Sequence, residues 1–264
     1  MPILKQFTVN DMLVKVYQNR EEMGKSAAED VAKCLRKTLA EKDEVNMVFA
    51  AAPSQNEFLQ FLCVQPGIDW GRVNAFHMDE YIGLSSDEEQ SFVHYLTDHI
   101  TGKIPFRNFF PIHGNVEDVE TECLRYEKLI ADRQIDIVCL GIGENGHIAF
   151  NDPHEAYIFD EKLVKTVSLD EKCRMQQVND KCFRCIKDVP RKAITLTVSA
   201  LMRGRNLFCT VPSALKAEAV REVVFGEIRN RFPATSMKLH KHVKLYCDKD
   251  SAAYILGDER NGIL

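Results

Sequence analysis

The sequence predicts an α/β fold, in which a mostly parallel, twisted, Rossmann-like sheet is covered by helices on both faces. Short apolar segments alternate with longer segments of helical spacing along most of the 264 residues, which is the rhythm of βαβ units. One apolar segment, residues 135–140, stops abruptly at glycines, as a buried parallel strand does where it opens into a loop. No repeat or Pro/Gly/Ser-rich linker divides the chain, so we expect a single domain over residues 1–264.

Each element is predicted from its local pattern. Met23, Ala27 and Val31 recur at the spacing of one helix face, whereas short apolar segments bounded by turn residues indicate strands. The predicted strands are residues 14–17, 45–51, 73–78, 135–140, 193–198, 206–211 and 243–247. The predicted helices are residues 21–40, 57–64, 91–100, 119–131 and 213–224.

The composition excludes several classes of protein. A net charge of −5 argues against a broad nucleic-acid-binding surface, and the chain lacks an apolar run long enough for a membrane span or a signal peptide. Nine cysteines, an odd number scattered over predicted helices and strands, indicate reduced thiols and a cytoplasmic protein. Cys182 and Cys185, with Cys173 nearby, lack a second pair at metal spacing. We therefore favour ordinary thiols over a redox or metal site and expect no bound metal.

The glycine-rich segment after residues 135–140 is the first candidate site. Gly141, Gly143 and Gly146 would let backbone N–H groups approach an anion, and His147 adds an acid–base group at the same strand end. The three glycines also match the spacing of the dinucleotide fingerprint. They lie in the middle of the chain, however, and residues 151–153 would interrupt the helix that a nucleotide site needs. We expect no nucleotide cofactor.

Two further strand ends carry polar residues. Asp79 and Glu80 follow a buried strand, so either carboxylate is a candidate base, although a helix cap or an ion pair would explain both. Lys216 lies just after a strand in the first turns of a helix, where a cation and backbone donors can hold a phosphate. Its alternative is a solvated helix lysine. Ser54 lies in a similar turn and is expected to cap a helix or to donate to a phosphate.

Together these segments resemble the glucosamine-6-phosphate deaminase (isomerase) family. Residues 78–84, Met-Asp-Glu-Tyr-Ile-Gly-Leu, and residues 141–153, Gly-Ile-Gly-Glu-Asn-Gly-His-Ile-Ala-Phe-Asn-Asp-Pro, carry the resemblance, supported by residues 189–197 and the Lys216 turn. The resemblance runs from about residue 10 to residue 250. The related 6-phosphogluconolactonases share the fold and a similar glycine loop. They usually have arginine after the Asp-Glu pair and lack Phe-Asn-x-Pro, so Tyr81 and residues 150–153 favour the deaminases.

The resemblance implies a cofactor-free reaction of amino sugar catabolism, in which glucosamine 6-phosphate and water give fructose 6-phosphate and ammonia. Asp79 would move a proton from C2 to C1, and His147 would move one at the ring oxygen. The catalytic set implied is Asp79, His147, Asn145 and Asp152. The substrate and phosphate set implied is Ser54, Gln55, Glu80, Gly143, Gly146, Lys216 and Arg174, with Glu80 more suited to supporting the loop than to reacting.

Several residues depart from the family pattern. Many members have Asp where this chain has Asn145 and Glu where it has Asp152, and their phosphate turn is richer in glycine than residues 51–55. These departures leave open a galactosamine-6-phosphate deaminase, a lactonase-like hydrolase, or a non-catalytic sugar-phosphate-binding protein. The phosphate-binding arginine of the family falls within residues 173–184 of this chain, where Arg174, Lys181 and Arg184 are alternatives. The sequence is compatible with a homo-oligomer.

Overall fold

A large sheet and a small sheet organise the fold. The computed structural model describes residues 3–257. In spatial order, the eight-stranded sheet contains β1 (Lys5–Val9), β2 (Met12–Tyr17), β11 (Val243–Asp248), β10 (Asn206–Val211), β7 (Ile137–Leu140), β3 (Val45–Phe49), β4 (Val73–His77) and β6 (Asn108–Phe110). All neighbouring strands are parallel except β1 and β2. The antiparallel three-stranded sheet contains β5 (Asp79–Tyr81), β9 (Lys192–Leu196) and β8 (Val164–Ser168).

Helices cover both faces of the large sheet, as the sequence predicts. The helices are α1 (Arg20–Glu41), α2 (Asn56–Cys63), α3 (Phe92–Leu96), α4 (Val119–Ala131), α5 (Glu171–Asn179), α6 (Val198–Met202), α7 (Ala217–Phe225) and α8 (Ala253–Leu256). Along β7, Ile137 and Cys139 join the core beneath α1 and α2, whereas Val138 and Leu140 join the core beneath α4 and α7. This alternation is the period of a strand buried on both sides. Within the described part of the chain, no helix is long and apolar enough to cross a membrane.

The small sheet is the main difference from the sequence prediction. Residues 193–198 were expected to form a strand of the parallel sheet, but β9 pairs antiparallel with both β5 and β8. An apolar segment shows that a strand is buried, yet it does not show which sheet the strand joins. The chain leaves the large sheet after β4, and Met78 O accepts from Leu196 N at 2.7 Å. Strands β1, β5, β6 and β8 and helices α5, α6 and α8 were not predicted. All but α5 are only three to five residues long, and α5 has weak apolar spacing.

Two predicted helices begin or end irregularly. Residues 91–100 form α3 followed by a π-helical turn, Thr97–Thr101. Residues 213–224 begin as a 3₁₀ turn, Ala214–Lys216, before α7. Such changes of helical hydrogen bonding near helix ends are common, and apolar spacing alone does not resolve them.

A buried ion pair ties the end of α1 to the middle of the large sheet. Asp136, just before β7, is fully buried, and Lys42 Nζ donates to its two carboxylate oxygens at 2.7 and 2.8 Å. The backbone N–H of Asn46 donates to Asp136 Oδ2 at 3.1 Å. The Asp136 carboxylate therefore joins α1, β3 and β7, which together support the strand ends described below.

Replacing Asp136 should destabilise the fold. Asp136→Ala leaves the Lys42 ammonium and the Asn46 N–H without their acceptor, so we expect a loss of about 2–3 kcal/mol of unfolding free energy, measured by urea denaturation. Asp132→Ala is the matched control, because the Asp132–Lys128 pair is exposed and should contribute little. Equal effects of the two substitutions would contradict a structural role for the Asp136 pair.

Candidate active site

A single cavity lies where the carboxyl ends of β3, β4, β7 and β10 meet. Residues 50–54, 78–79, 141–149 and 212–216 contribute to its lining, and each of these segments follows one of the four strands. In parallel α/β sheets this edge is the usual ligand site. Arg20 from the start of α1 and Gln176, Gln177 and Asp180 from α5 and its end complete much of the wall.

Two of the glycines after β7, Gly143 and Gly146, make room for neighbouring side chains. A Cβ on Gly143 would lie 2.2 Å from the His147 ring, and a Cβ on Gly146 would lie 2.7 Å from Phe232. Gly146 also has a φ of +84°, which favours glycine. The expected backbone contacts to an anion are not formed by these two residues, because Gly143 N donates to His147 O and Gly146 N donates to Gly143 O. Residues 141–153 form turns and an isolated bridge, consistent with the expectation that no nucleotide-binding helix follows the glycines.

His147 is paired with a buried carboxylate. Its Nδ1 lies 3.1 Å from Asp152 Oδ1, at ion-pair distance but outside the alignment of an ordinary hydrogen bond. Asn145 Nδ2 donates to Asp152 Oδ1 at 2.9 Å and to Asp170 Oδ2 at 3.1 Å. The Asn145 side-chain oxygen accepts from His147 N at 3.1 Å. Asn145 therefore orients both members of the pair.

The surroundings keep Asp152 ionised. Burial alone would raise its pKa, but His147, the Asn145 amide and the backbone N–H of Asp170 together hold the pKa below the ordinary value. Asp170 N donates to Asp152 Oδ2 at 3.0 Å. Asn151, which is fully buried, holds the turn before Asp152 by donating to the carbonyls of Ile148 and Leu196. Asn151 belongs to the motif of residues 141–153, but this role could not be predicted from the sequence.

The carboxylates of Asp79 and Glu80 differ sharply in their hydrogen bonding, although the two residues are adjacent. Asp79 lines the cavity, and its carboxylate accepts no hydrogen bond from residues 3–257. Burial, and then the charge of Glu80, raises the pKa of Asp79 well above its ordinary value. Glu80 does not line the cavity. Its carboxylate accepts from the N–H groups of Tyr81, Phe92 and Val93 and from the Ser91 hydroxyl, so the expected substrate contact is replaced by support of the α3 amino end.

Lys216 brings an unpartnered cation to the cavity. The residue is 5% exposed, and its Nζ has neither a hydrogen bond nor an ion pair within the described residues. Burial lowers the pKa of Lys216, while Asp180 and Glu144 act in the opposite direction. The turn before it is held at Ser213, whose φ is +90° and whose N–H donates to Asp248 at 3.0 Å. A strained backbone fixed by a buried carboxylate presents the lysine.

The turn after β3 places Ser54 at the cavity and turns Gln55 away from it. Ser54 lines the cavity and caps no helix, so its expected role as a cap is wrong. Gln55 is buried, donates to Ser54 Oγ at 3.1 Å and accepts from the Thr210 hydroxyl at 2.9 Å. It therefore supports the turn instead of contacting a ligand. Arg20 and Tyr95 hold the other side of the turn through the carbonyls of Pro53 and Ala52.

Arg174 is not brought to the cavity. Its guanidinium donates to the backbone carbonyls of Ile186 and Val189, which fixes the chain after α5. The alternatives Lys181 and Arg184 line a separate groove. The arginine that does line the cavity is Arg20, which sequence reasoning missed because it begins a long helix and belongs to no motif. Gln176 and Gln177 were missed for a similar reason, since α5 has almost no apolar periodicity.

Comparison with known proteins places this geometry in a family. The family described as glucosamine-6-phosphate isomerases/6-phosphogluconolactonase matches residues 18–247. The chain belongs to this family. A glucosamine-6-phosphate deaminase of Thermoanaerobacter sp. (strain X514) is 34% identical over 252 residues, which cover 92% of this chain and 95% of that protein.

Solved structures of the family agree with the fold. A monomeric glucosamine-6-phosphate deaminase superposes with a TM-score of 0.83 at 31% identity, covering 91% of this chain and 98% of the other. A 6-phosphogluconolactonase from Thermotoga maritima has a TM-score of 0.74 at 19% identity, covering 90% and 100%. At that identity the lactonase shows the shared fold alone.

Gly143 is predicted to be required for the position of the His147 ring. Gly143→Ala puts a methyl group into the His147 ring, so we expect a stability loss of about 1–3 kcal/mol and a displaced imidazole. Urea denaturation and the NMR signals of the His147 ring would measure these effects. Gly257→Ala is the control, because a Cβ there meets nothing within 4 Å. An unchanged His147 signal in Gly143→Ala would contradict the packing described here.

Proposed function

We propose that this chain is a glucosamine-6-phosphate deaminase. The observation that carries the proposal is the meeting, in one cavity, of an unbonded Asp79 carboxylate, the His147–Asp152 pair and the unpartnered Lys216 ammonium. These are a base, an acid–base group and an anion-binding cation. The deaminases at 31–34% identity over more than nine-tenths of the chain support the same assignment.

Lys216 is proposed to bind the phosphate together with the turn that carries Ser54. A buried ammonium without a protein counter-ion is costly, and a bound phosphate removes that cost. Burial lowers the pKa of Lys216, and a bound phosphate would favour its charged form in the same way that Asp180 and Glu144 do. Holding the phosphate fixes one end of the sugar and orients its carbon chain for proton transfer.

His147 is proposed to open the sugar ring. An imidazole can donate a proton to the ring oxygen or accept one from the anomeric hydroxyl. The ionised Asp152 beside Nδ1 stabilises the protonated ring, which a neutral neighbour could not do by charge. Asn145 replaces the acid of many relatives, and it contributes orientation through its bonds to Asp152 and to the His147 backbone.

Asp79 is proposed to carry out the isomerisation. Its carboxylate removes the proton at C2 of the open-chain amino sugar and returns it at C1, while O1 takes a proton from the substrate's ammonium group, so the C1 aldehyde becomes an alcohol and C2 becomes an iminium. Water then adds at C2, the amine leaves as ammonia, and fructose 6-phosphate remains. The absence of a hydrogen bond to Asp79 from the described residues, together with its raised pKa, makes it a stronger base than an ordinary aspartate.

The deciding experiment measures ammonia release from glucosamine 6-phosphate by the wild type and by Asp79→Asn. We expect release by the wild type and a loss of at least about 10²–10⁴-fold in kcat in the variant, the usual contribution of a positioned acid or base. Equal urea denaturation curves would show that the variant is folded. Ammonia release from galactosamine 6-phosphate alone would change the assigned substrate to that epimer. Hydrolysis of 6-phosphogluconolactone without ammonia release would favour the lactonase alternative.

The pH profile of kcat/KM tests the role of Asp79 separately. The base must be ionised, and its pKa is raised, so activity should fall as the pH drops through a value well above about 4, the ordinary value for aspartate. Asp152 has a lowered pKa and should stay ionised over this range. The pH at which activity falls on the acidic side of the profile should shift in Asp79→Glu. If that pH is unchanged in the variant, the fall belongs to the titration of another group.

Lys216 should contribute to phosphate binding rather than to the chemical step. Lys216→Gln removes a charge-assisted contact, so we expect kcat/KM to fall by about 10- to 100-fold, mostly through KM. Competitive inhibition by inorganic phosphate should weaken in parallel. Lys238→Gln is the matched control, because Lys238 is also buried but its Nζ donates to the Gly226 carbonyl. Unchanged phosphate inhibition in Lys216→Gln would place the phosphate elsewhere.

The proposal also covers the cellular setting. We propose a cytoplasmic enzyme, because the nine cysteines of the chain are all unpaired and such thiols stay reduced in the cytoplasm. The single domain over residues 1–264 and a homo-oligomer stay predictions, and size-exclusion chromatography with light scattering would measure the oligomeric state.

A further inference from the structure

A cysteine lies directly against the His147–Asp152 pair. Cys173, in the first turns of α5, is buried, and one ligand atom from each of His147, Asp152 and Cys173 lies within 4.8 Å of the other two. The catalytic steps proposed above do not use this thiol. The cluster combines an imidazole nitrogen, a carboxylate oxygen and a sulfur, which is a mixed set of ligands and not an acidic patch.

A second observation points to a ligand at this cluster. His147 Nδ1 is buried and makes no hydrogen bond to the described residues, although it lies 3.1 Å from Asp152 Oδ1. The Asp152 carboxylate accepts from Asn145 and from Asp170 N, yet a carboxylate offers about four lone-pair positions. The Cys173 thiol is itself hydrogen-bonded to this carboxylate, so a cation would take the place of the thiol proton, and His147 lines the open cavity through which the cation could enter.

We propose that His147, Asp152 and Cys173 form an inhibitory binding site for Zn²⁺. Zinc takes nitrogen, oxygen and sulfur ligands in tetrahedral geometry, and three protein ligands leave a fourth position for water. Harder cations such as Mg²⁺ prefer oxygen ligands and do not suit the thiol. Zinc would be an inhibitor and not a cofactor, because a metal at Nδ1 would take the place of the proton there and would engage the Asp152 charge that stabilises the protonated ring.

Binding is a ligand exchange on hydrated Zn²⁺. Water ligands leave the metal as Zn–N, Zn–O and Zn–S bonds form at His147, Asp152 and Cys173, and the Cys173 thiol loses its proton to solvent. When zinc is absent the His147–Asp152 pair is free for catalysis, and removal of zinc by a chelator should restore this state.

Direct binding tests the site without relying on catalysis. Chelator-treated full-length protein is titrated with Co²⁺, which reports a bound thiolate through a sulfur-to-cobalt charge-transfer band, and Zn²⁺ should displace it. We expect the band in the wild type and its loss in Cys173→Ser. Cys185→Ser is the control, because Cys185 is exposed and belongs to the Cys-x-x-Cys pair. A band lost in Cys185→Ser but kept in Cys173→Ser, or no band in the wild type, would overturn the proposal.

Inhibition provides the second measurement and rests on the proposed deaminase function. Zn²⁺ should inhibit ammonia release reversibly, and its inhibition constant should rise at least about tenfold in Cys173→Ser, since even outer-shell changes weaken metal sites by that factor. Cys185→Ser should keep the wild-type constant. Cobalt binding without any deaminase activity would refute the proposed function and leave the metal site standing. Equal zinc inhibition in wild type and Cys173→Ser would refute the inhibitory site.

Discussion

The buried carboxylate of Asp152 is the contact on which the geometry of the site depends. One oxygen lies beside His147 and accepts from Asn145, and the other accepts from the N–H of Asp170. Asp170 is also the N-cap of α5, accepting from Cys173 N. The same carboxylate therefore fixes the imidazole and the helix that brings Gln176 and Gln177 to the cavity wall. A substitution of Asp152 would therefore change the orientation of the His147 imidazole and the position of α5 together.

Two buried aspartates of the site are held in opposite electrostatic states. Asp152 is surrounded by donors and stays ionised, whereas Asp79 has no donor among residues 3–257 and has a raised pKa. Burial raises the pKa of both, and hydrogen bonds decide the difference. Glu80 shows the same rule at an adjacent position: several N–H donors bind its carboxylate, and it supports a helix. A carboxylate left without donors and facing a cavity is suited to accept a proton.

The sequence predicts the residues that follow strands better than those that depend on packing. Asp79, His147 and Lys216 each follow an apolar segment, and parallel strands end at one edge, so their meeting in one cavity could be predicted. The orientations of the Gln55 and Arg174 side chains could not be predicted, because each is decided by a hydrogen-bond partner distant in the chain. The antiparallel pairing of β9 could not be predicted either, since a short apolar segment does not indicate which strand it pairs with.

The Asn145 amide links two carboxylates of the site. It donates to Asp152 and also to Asp170, so one NH₂ group bridges them. An aspartate at this position would place a third negative charge beside those two and would remove the bridging donor. In this chain the amide is therefore the residue that suits the cluster. The negative charge beside His147 comes from Asp152, which the bridge keeps in place, and an amide at this position does not by itself argue against catalysis.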